Sequence, residues 1–218
     1  MSMNVAIDGP AGAGKSTIAK AVAAKLGYIY VDTGAMYRAI ALYLLNHNIS
    51  SSDEKSIEAV LDDINVEIVY ENQAQQVILN GENVSKEIRK EEVGNMASAT
   101  SVYGCVRSKL LSLQRDLAAK SDVIMDGRDI GTCVLPNAQV KVYLTASVDC
   151  RADRRYKELV EKGENPNLED IKKDISERDY RDMHRDIAPL KQADDAILVD
   201  SSDMTIEEVV VAIVDLCK

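Results

Sequence analysis

Tryptophan and phenylalanine are both absent from the 218 residues. With neither ring available for stacking, recognition of a flat ligand is expected to rest on polar contacts. Only two histidines occur, His47 and His184; neither sits in a plausible dyad, and both read as surface residues. The four cysteines, Cys105, Cys133, Cys150 and Cys217, form no close pair. That spacing signals neither a zinc knuckle nor a disulfide framework and favours reduced, buried thiols. No apolar run approaches the ~20 residues needed to cross a bilayer, and no basic stretch opens the chain. A cytoplasmic protein without membrane contact is the expectation. A positive surplus is lacking too, since the formal net charge is −10. Duplex binders normally carry excess Lys and Arg to displace phosphate counterions, so nucleic acid is not an expected partner. The arginines nevertheless cluster in a few places, which suits a small anionic ligand better than a long polyanion.

What the chain does carry is an alternation. Short apolar, β-rich runs occur at Val5–Ile7, Tyr28–Val31, Val123–Met125, Val140–Leu144 and Ala196–Val199, each ending in a polar or Gly cluster. Between them, Lys15–Leu26, Ala35–Leu45, Gly104–Ala119, Val148–Val160 and Ile206–Leu216 are apolar at helical spacing. Strands that alternate with helices and are apolar on both faces predict an α/β fold: a parallel sheet covered by helices on each side, with right-handed connections. From about Asn65 to Val84 the rhythm breaks. Val66–Tyr70 and Gln76–Leu79 read as strands, and Asn80-Gly81 has the positive-φ chemistry of a tight turn, so a small antiparallel insertion is expected over about 63–90. The charged run from Glu164 to Arg185 contains Pro166 and predicts one or two exposed helices. The length suits one domain, 1–218, carrying that insertion, with a lid over about 151–185.

The strongest local signal is Gly9, Pro10, Ala11, Gly12, Ala13, Gly14, Lys15, Ser16, followed by Thr17. It fits the G-x-x-x-x-G-K-[ST] pattern between a strand and a helix, as a phosphate-binding P-loop requires. Small residues let the backbone wrap closely around phosphate oxygens, and successive N–H groups converge on them. The following helix adds roughly half a positive charge at its N-terminus. Lys15 is expected to reach the β- and γ-phosphates of ATP, and Ser16 to ligate Mg²⁺. The motif fixes the nucleotide and leaves the reaction open, because switches, motors and kinases all use it.

Other segments suggest what faces that nucleotide. Asp32-Thr33-Gly34-Ala35-Met36-Tyr37-Arg38 ends a strand and opens a helix that Thr33 can cap; a capped helix with a surface arginine is the plainer alternative. The strand Val123–Met125 closes on Asp126, which resembles the carboxylate that positions magnesium in P-loop enzymes. Arg128 and Asp129 follow between two glycines, and an arginine fork matches phosphate oxygens; a structural Asp-Arg turn would look the same. Arg178, Asp182 and Arg185 recur at helical spacing with Arg181 beside them, a pattern that a solvated, salt-bridged helix also produces. Arg151, Arg154 and Arg155 repeat it upstream, where Arg154 with Glu158 could be only an i,i+4 pair.

Taken together, Gly9–Thr17, Asp32–Arg38, Asp126–Thr132 and the tail Arg185-Asp-Ile-Ala-Pro189-Leu190 resemble bacterial cytidylate kinases over nearly the whole chain. The resemblance implies a P-loop NTPase fold similar to adenylate kinase: a five-stranded parallel sheet, an acceptor region enlarged by the insertion, and a mobile arginine-rich lid. It implies that Thr33, Tyr37, Arg38, Arg128 and Arg185 hold the acceptor phosphate. Ser98, Arg107 and Asp129 would read the base, and Arg178 with Asp182 would bind the ribose. Arg154 and Arg155 would approach the ATP phosphates, Ser16 and Asp126 would hold Mg²⁺, and Lys15, Arg128 and Arg185 would stabilise the transferring group. Cys133 departs from the family pattern, where Val is expected.

The implied reaction, from MgATP to CMP or dCMP, suits these residues. A nucleoside monophosphate has a second phosphate pKa near ~6, so its attacking oxygen is already anionic and needs no general base. The protein must instead bring two anions together and stabilise a loose transition state, which cations do. Cytosine offers an amino donor beside acceptors, a match for Asp129 and Arg107, so CMP and dCMP are expected over UMP. Another small-molecule P-loop kinase is the alternative, and a non-catalytic nucleotide switch a further one; no Asn-Lys-x-Asp segment of a GTPase is present. A monomer is expected.

Overall fold

The structure is a computed structural model describing residues 2–71 and 74–218. Its centre is a five-stranded parallel sheet made of β1 (Asn4–Asp8), β2 (Ile29–Asp32), β6 (Val123–Gly127), β7 (Val140–Thr145) and β8 (Ile197–Asp200), in the order β2-β6-β1-β7-β8. Successive side chains in a strand point to opposite faces, and the burial follows that rule. Ala6, Val31, Val123 and Met125 pack into one core with α2 (Thr33–Asn46), α4 (Glu91–Thr100) and α5 (Gly104–Lys120). Val5, Ile7, Ile124 and Val142 pack into a second core with α1 (Lys15–Leu26) and α8 (Ile206–Leu216). Each fully buried Ile or Leu contributes on the order of 1.5–3 kcal/mol. The edge strand departs from the expected two-sided burial: Ile197 and Leu198 are exposed and only Val199 is buried.

Helix ends follow local chemistry. α8 starts with a capping box, in which Thr205 and Glu208 satisfy each other's backbone N–H groups. At α2 the expected cap is corrected. Asp32, extended at the end of β2, accepts from the Ala35 N–H at 2.9 Å, and so is the capping residue. Thr33 is already helical, and its buried hydroxyl donates to the Asp126 carbonyl at 2.7 Å. The charged run near the C-terminus forms one helix, α7 (Leu168–His184), packed on α6 (Val148–Glu161). It is not wholly exposed, because Ile175, Asp179 and Asp182 are buried.

The insertion follows α3 (Glu54–Val60) and consists of β3 (Val66–Glu71), β4 (Ala74–Leu79) and β5 (Glu82–Asn83) in an antiparallel sheet. Asn80 and Gly81, at φ 48 and 87, form the two-residue turn between β4 and β5. The third strand was not anticipated, since two polar residues carry no strand pattern. Gln75 ties this sheet to the edge of β2: its amide accepts from Asp32 N at 2.8 Å and donates to Asp32 O at 3.2 Å. Among the described residues no helix is long and apolar enough to cross a membrane.

Candidate active site

The phosphate loop leaves the carboxyl end of β1 at Gly9. A Cβ there would lie 1.9 Å from the Leu144 carbonyl oxygen, so the residue cannot carry a side chain. At the other end Gly14, with φ 83, is the N-cap of α1 and supplies no side-chain cap. The first N–H groups of α1 therefore remain available, with no acidic residue in the first turn to compete for them. Lys15 is buried and donates to the Pro10 carbonyl at 2.7 Å. Burial, and next the Arg128 guanidinium, push its ammonium well below the ordinary lysine range, against the pull of Asp126.

Asp126 lies at the end of β6, the strand beside β1. Its carboxylate accepts from Ser16 Oγ and from the Tyr30 hydroxyl, each at 2.9 Å. Burial, reinforced by Asp32, raises its pKa to about 6, while Lys15 and the two hydroxyls oppose the shift. Asp8, at the end of β1, is a second buried carboxylate. It accepts from Ile130 N at 2.8 Å and Gly131 N at 2.7 Å, anchoring a π-helical turn over Ile130–Val134. Burial raises its pKa to about 6 as well, although those two N–H groups favour the charged form.

Between Asp126 and that turn stand Arg128 and Asp129. Arg128 Nε donates to Asp182 Oδ2 at 2.9 Å. Asp129 is held by Arg107 and, at 3.3 Å, by Arg185. Burial alone would raise Asp182, but Arg128 and Arg178 keep its carboxyl below the usual range. Arg178 is half-buried, and its buried Nε has no hydrogen-bond partner among the described residues. Burial and then Arg128 lower its pKa to about 10. Tyr37 lies beneath Arg107, whose guanidinium carbon is 5.7 Å from the ring centroid. Arg38 donates to Ile88 O at 3.2 Å, and Arg181 donates to Ser98 Oγ at 3.1 Å.

The sequence-predicted residues thus meet in linked groups: Lys15 with Pro10, Ser16 with Asp126, Arg128 with Asp182, and Asp129 with Arg107 and Arg185. Arg154 and Arg155 make other contacts. Arg154 donates to the Ser201 carbonyl at 2.7 Å, and Arg155 pairs with Glu158 at 3.0 Å. The helical pair with Glu158 is therefore i,i+3 from Arg155. The guanidinium that reaches the phosphate loop is Arg151, bonded to Ala11 O at 2.8 Å. Asp8, Tyr30 and Asp179 were also missed. For Asp8 a signal existed, because an acidic residue closing an apolar strand is the feature that singled out Asp126. The cysteines are free and half-buried rather than buried. His47 and His184 are exposed, each stacked on the tyrosine one turn earlier. A cavity of about 910 Å³ opens between the start of α5 and α7; of the residues above, Arg181, His184 and Arg185 line it.

Comparison with known proteins places this geometry in a family. The family model described as cytidylate kinase matches residues 5–218. A cytidylate kinase of Lactobacillus johnsonii is 51% identical over 216 residues, covering 99% of this chain and 94% of that protein. One from Caldicellulosiruptor saccharolyticus is 51% identical over 214 residues, covering 98% and 95%. A solved structure of an uncharacterized protein from Eubacterium ventriosum aligns with TM-score 0.53 at 11% identity, over 99% of this chain and 97% of that one. At such low identity that likeness concerns the fold alone. With a match from strand β1 to the last residue and half of all positions shared with full-length relatives, the chain belongs to the cytidylate kinase family.

Proposed function

We propose that the protein transfers the terminal phosphoryl group of MgATP to CMP or dCMP, giving ADP and CDP or dCDP. One observation carries the site assignment: Asp8 and Gly127 are paired neighbours at the ends of β1 and β6. The phosphate loop and the Arg128–Asp129 arm therefore leave the same edge of the sheet side by side. Ligands of open parallel sheets bind outside that carboxyl edge.

In this reading the Gly9–Thr17 main chain and the α1 N-terminus cradle the ATP phosphates, and Lys15 exchanges the Pro10 carbonyl for a phosphate oxygen. Ser16 and Asp126 are the residues that would hold Mg²⁺. Their donor set fits: a hydroxyl and a carboxylate 2.9 Å apart, with no cluster of three or more ligating side chains among the described residues. Mg²⁺ is usually held by one or two protein oxygens, with water and phosphate completing its shell. Bound there, the ion would neutralise charge on the phosphates. Arg128, Arg185, Arg38, Thr33 and Tyr37 take the acceptor phosphate, Arg178 and Asp182 the ribose, and Ser98, Arg107 and Asp129 the base. The buried, unpartnered Nε of half-buried Arg178 supports that assignment, because such a donor gains most from an incoming acceptor. The insertion enlarges the acceptor side and residues 151–185 act as a lid that excludes water. We take the enzyme to be monomeric.

The test is ADP release over CMP, dCMP, UMP, AMP and GMP. CMP and dCMP are expected to support turnover, UMP less, and the purine nucleotides little. Absence of ADP release and of binding with both cytidine nucleotides would sink the proposal.

A further inference from the structure

Two buried charges stand outside the roles just assigned. Arg151 in α6 and Asp179 in α7 are 4% and 7% exposed, and pair at 2.6 Å through Nη1 and Oδ2. The pair does not close on itself. Arg151 Nη1 also donates to Ala11 O at 2.8 Å, and its Nε donates to Ala146 O at 2.9 Å. Asp179 Oδ1 accepts from Ala11 N at 3.1 Å. Both main-chain polar groups of one phosphate-loop residue are thus gripped by side chains from two distant helices.

Stability alone is a weak reason for such a device. Desolvating two ions costs about as much as their attraction returns, and an apolar pair of similar volume often serves as well. What charges add is directed hydrogen bonding, and here it is directed at the loop. The position of Asp179 matters equally. It follows Arg178 directly and lies three residues before Asp182, so one turn of α7 faces both the loop and the Arg128-linked acceptor wall. A displacement of α7 moves the two together.

We infer that Arg151 and Asp179 are positioning residues that couple the two nucleotide sites: an acceptor seated on Arg178 and Asp182 fixes α7, and α7 fixes Ala11 and the loop. The inference rests on the assignment of the acceptor to that face of α7. Coupling of this kind is reciprocal, so each nucleotide tightens the other by the same factor, typically about 5- to 150-fold.

Calorimetric Kd values for CMP, with and without a saturating non-hydrolysable MgATP analogue, read that factor. The wild type is expected to fall in the range above, and Asp179→Asn to bring the factor close to one. The double variant Arg151→Met/Asp179→Leu, which leaves no lone buried ion, is expected to do the same. A purely structural pair would lower the melting temperature of both variants and leave the factor at its wild-type value. That outcome overturns the inference, as does a wild-type factor of one. Failure of CMP to bind the wild type at all would strike the functional assignment instead. Amide exchange at Ala11 in the wild type needs no variant: CMP alone is expected to slow it several-fold, and an unchanged rate also refutes the coupling.

Discussion

The two halves of the site are made of different material. The phosphate loop is main chain: a glycine pressed against Leu144, an uncapped helix start and one buried lysine. The wall proposed to take the acceptor is side chain. Arg107, Arg128, Arg178, Arg181 and Arg185 stand against Asp129 and Asp182, a local cationic surplus on a chain of net charge −10. Such a surplus is held under mutual repulsion, visible in the pKa of Arg178, which burial and Arg128 lower to about 10. In the proposed function an incoming phosphate would relieve it. A main-chain site should therefore fail through steric change, and a side-chain site through loss of charge.

The largest expected effect falls on the wall. Arg128→Met removes a guanidinium assigned to the transferring group and strands the buried Asp182 carboxylate. Steady-state kinetics are expected to show kcat/KM lower by ~10³–10⁵. A loss below about tenfold would mean that charge in the wall is not what drives the reaction. The steric counterpart is Gly9→Ala, whose new methyl must displace the β7 main chain. Urea unfolding is expected to show a loss of at least about 3 kcal/mol, near the upper range for single substitutions. Unfolding at the wild-type midpoint would break the contrast.

That difference in material also decides what could be read beforehand. The loop is a local code, in which spacing, small residues and the flanking strand and helix are consecutive in the chain. Helices 15–26 and 206–216 were legible to the residue, and the sheet strands to within one or two. The wall is tertiary: Asp129 meets Arg107 across 22 positions and Arg185 across 56, and only resemblance to a family assembled them. Where neither local code nor resemblance helped, the reading fell short. Thr33 and Asp32 are both good caps, and only the path of β2 makes Asp32 the cap. Arg151 looked like its neighbours Arg154 and Arg155 until the packing of α6 on α7 turned it alone toward Ala11.

Base selectivity sharpens the contrast further. Asp129 already accepts from Arg107 and Arg185. A carboxylate has about four acceptor sites, so room remains for an amino donor on cytosine. Asp129→Ala is expected to reduce the CMP-over-UMP ratio of kcat/KM by roughly 5- to 150-fold, corresponding to ~1–3 kcal/mol of base discrimination. An unchanged ratio would remove Asp129 from base reading while leaving the phosphate roles of the wall intact.

The smallest effect concerns the residue that joins the two materials. Asp8 belongs to the strand that launches the loop, yet its carboxylate holds the main chain of Ile130 and Gly131 next to Asp129. Its pKa, near 3.8 when unfolded, is raised to about 6 in the fold, chiefly by burial. The folded state therefore takes up this proton more readily than the unfolded state. The resulting stabilisation is full below pH ~4 and is lost as pH rises through ~6. Between pH 5 and pH 7 the wild type is expected to lose roughly 1 kcal/mol through this group. Asp8→Asn carries a constant penalty, because its amide cannot accept from both N–H groups, but it does not titrate. Relative to the wild type, the variant is expected to gain that ~1 kcal/mol over the same interval in urea unfolding at matched ionic strength. A difference independent of pH would place the Asp8 proton elsewhere and make the junction an ordinary charged anchor.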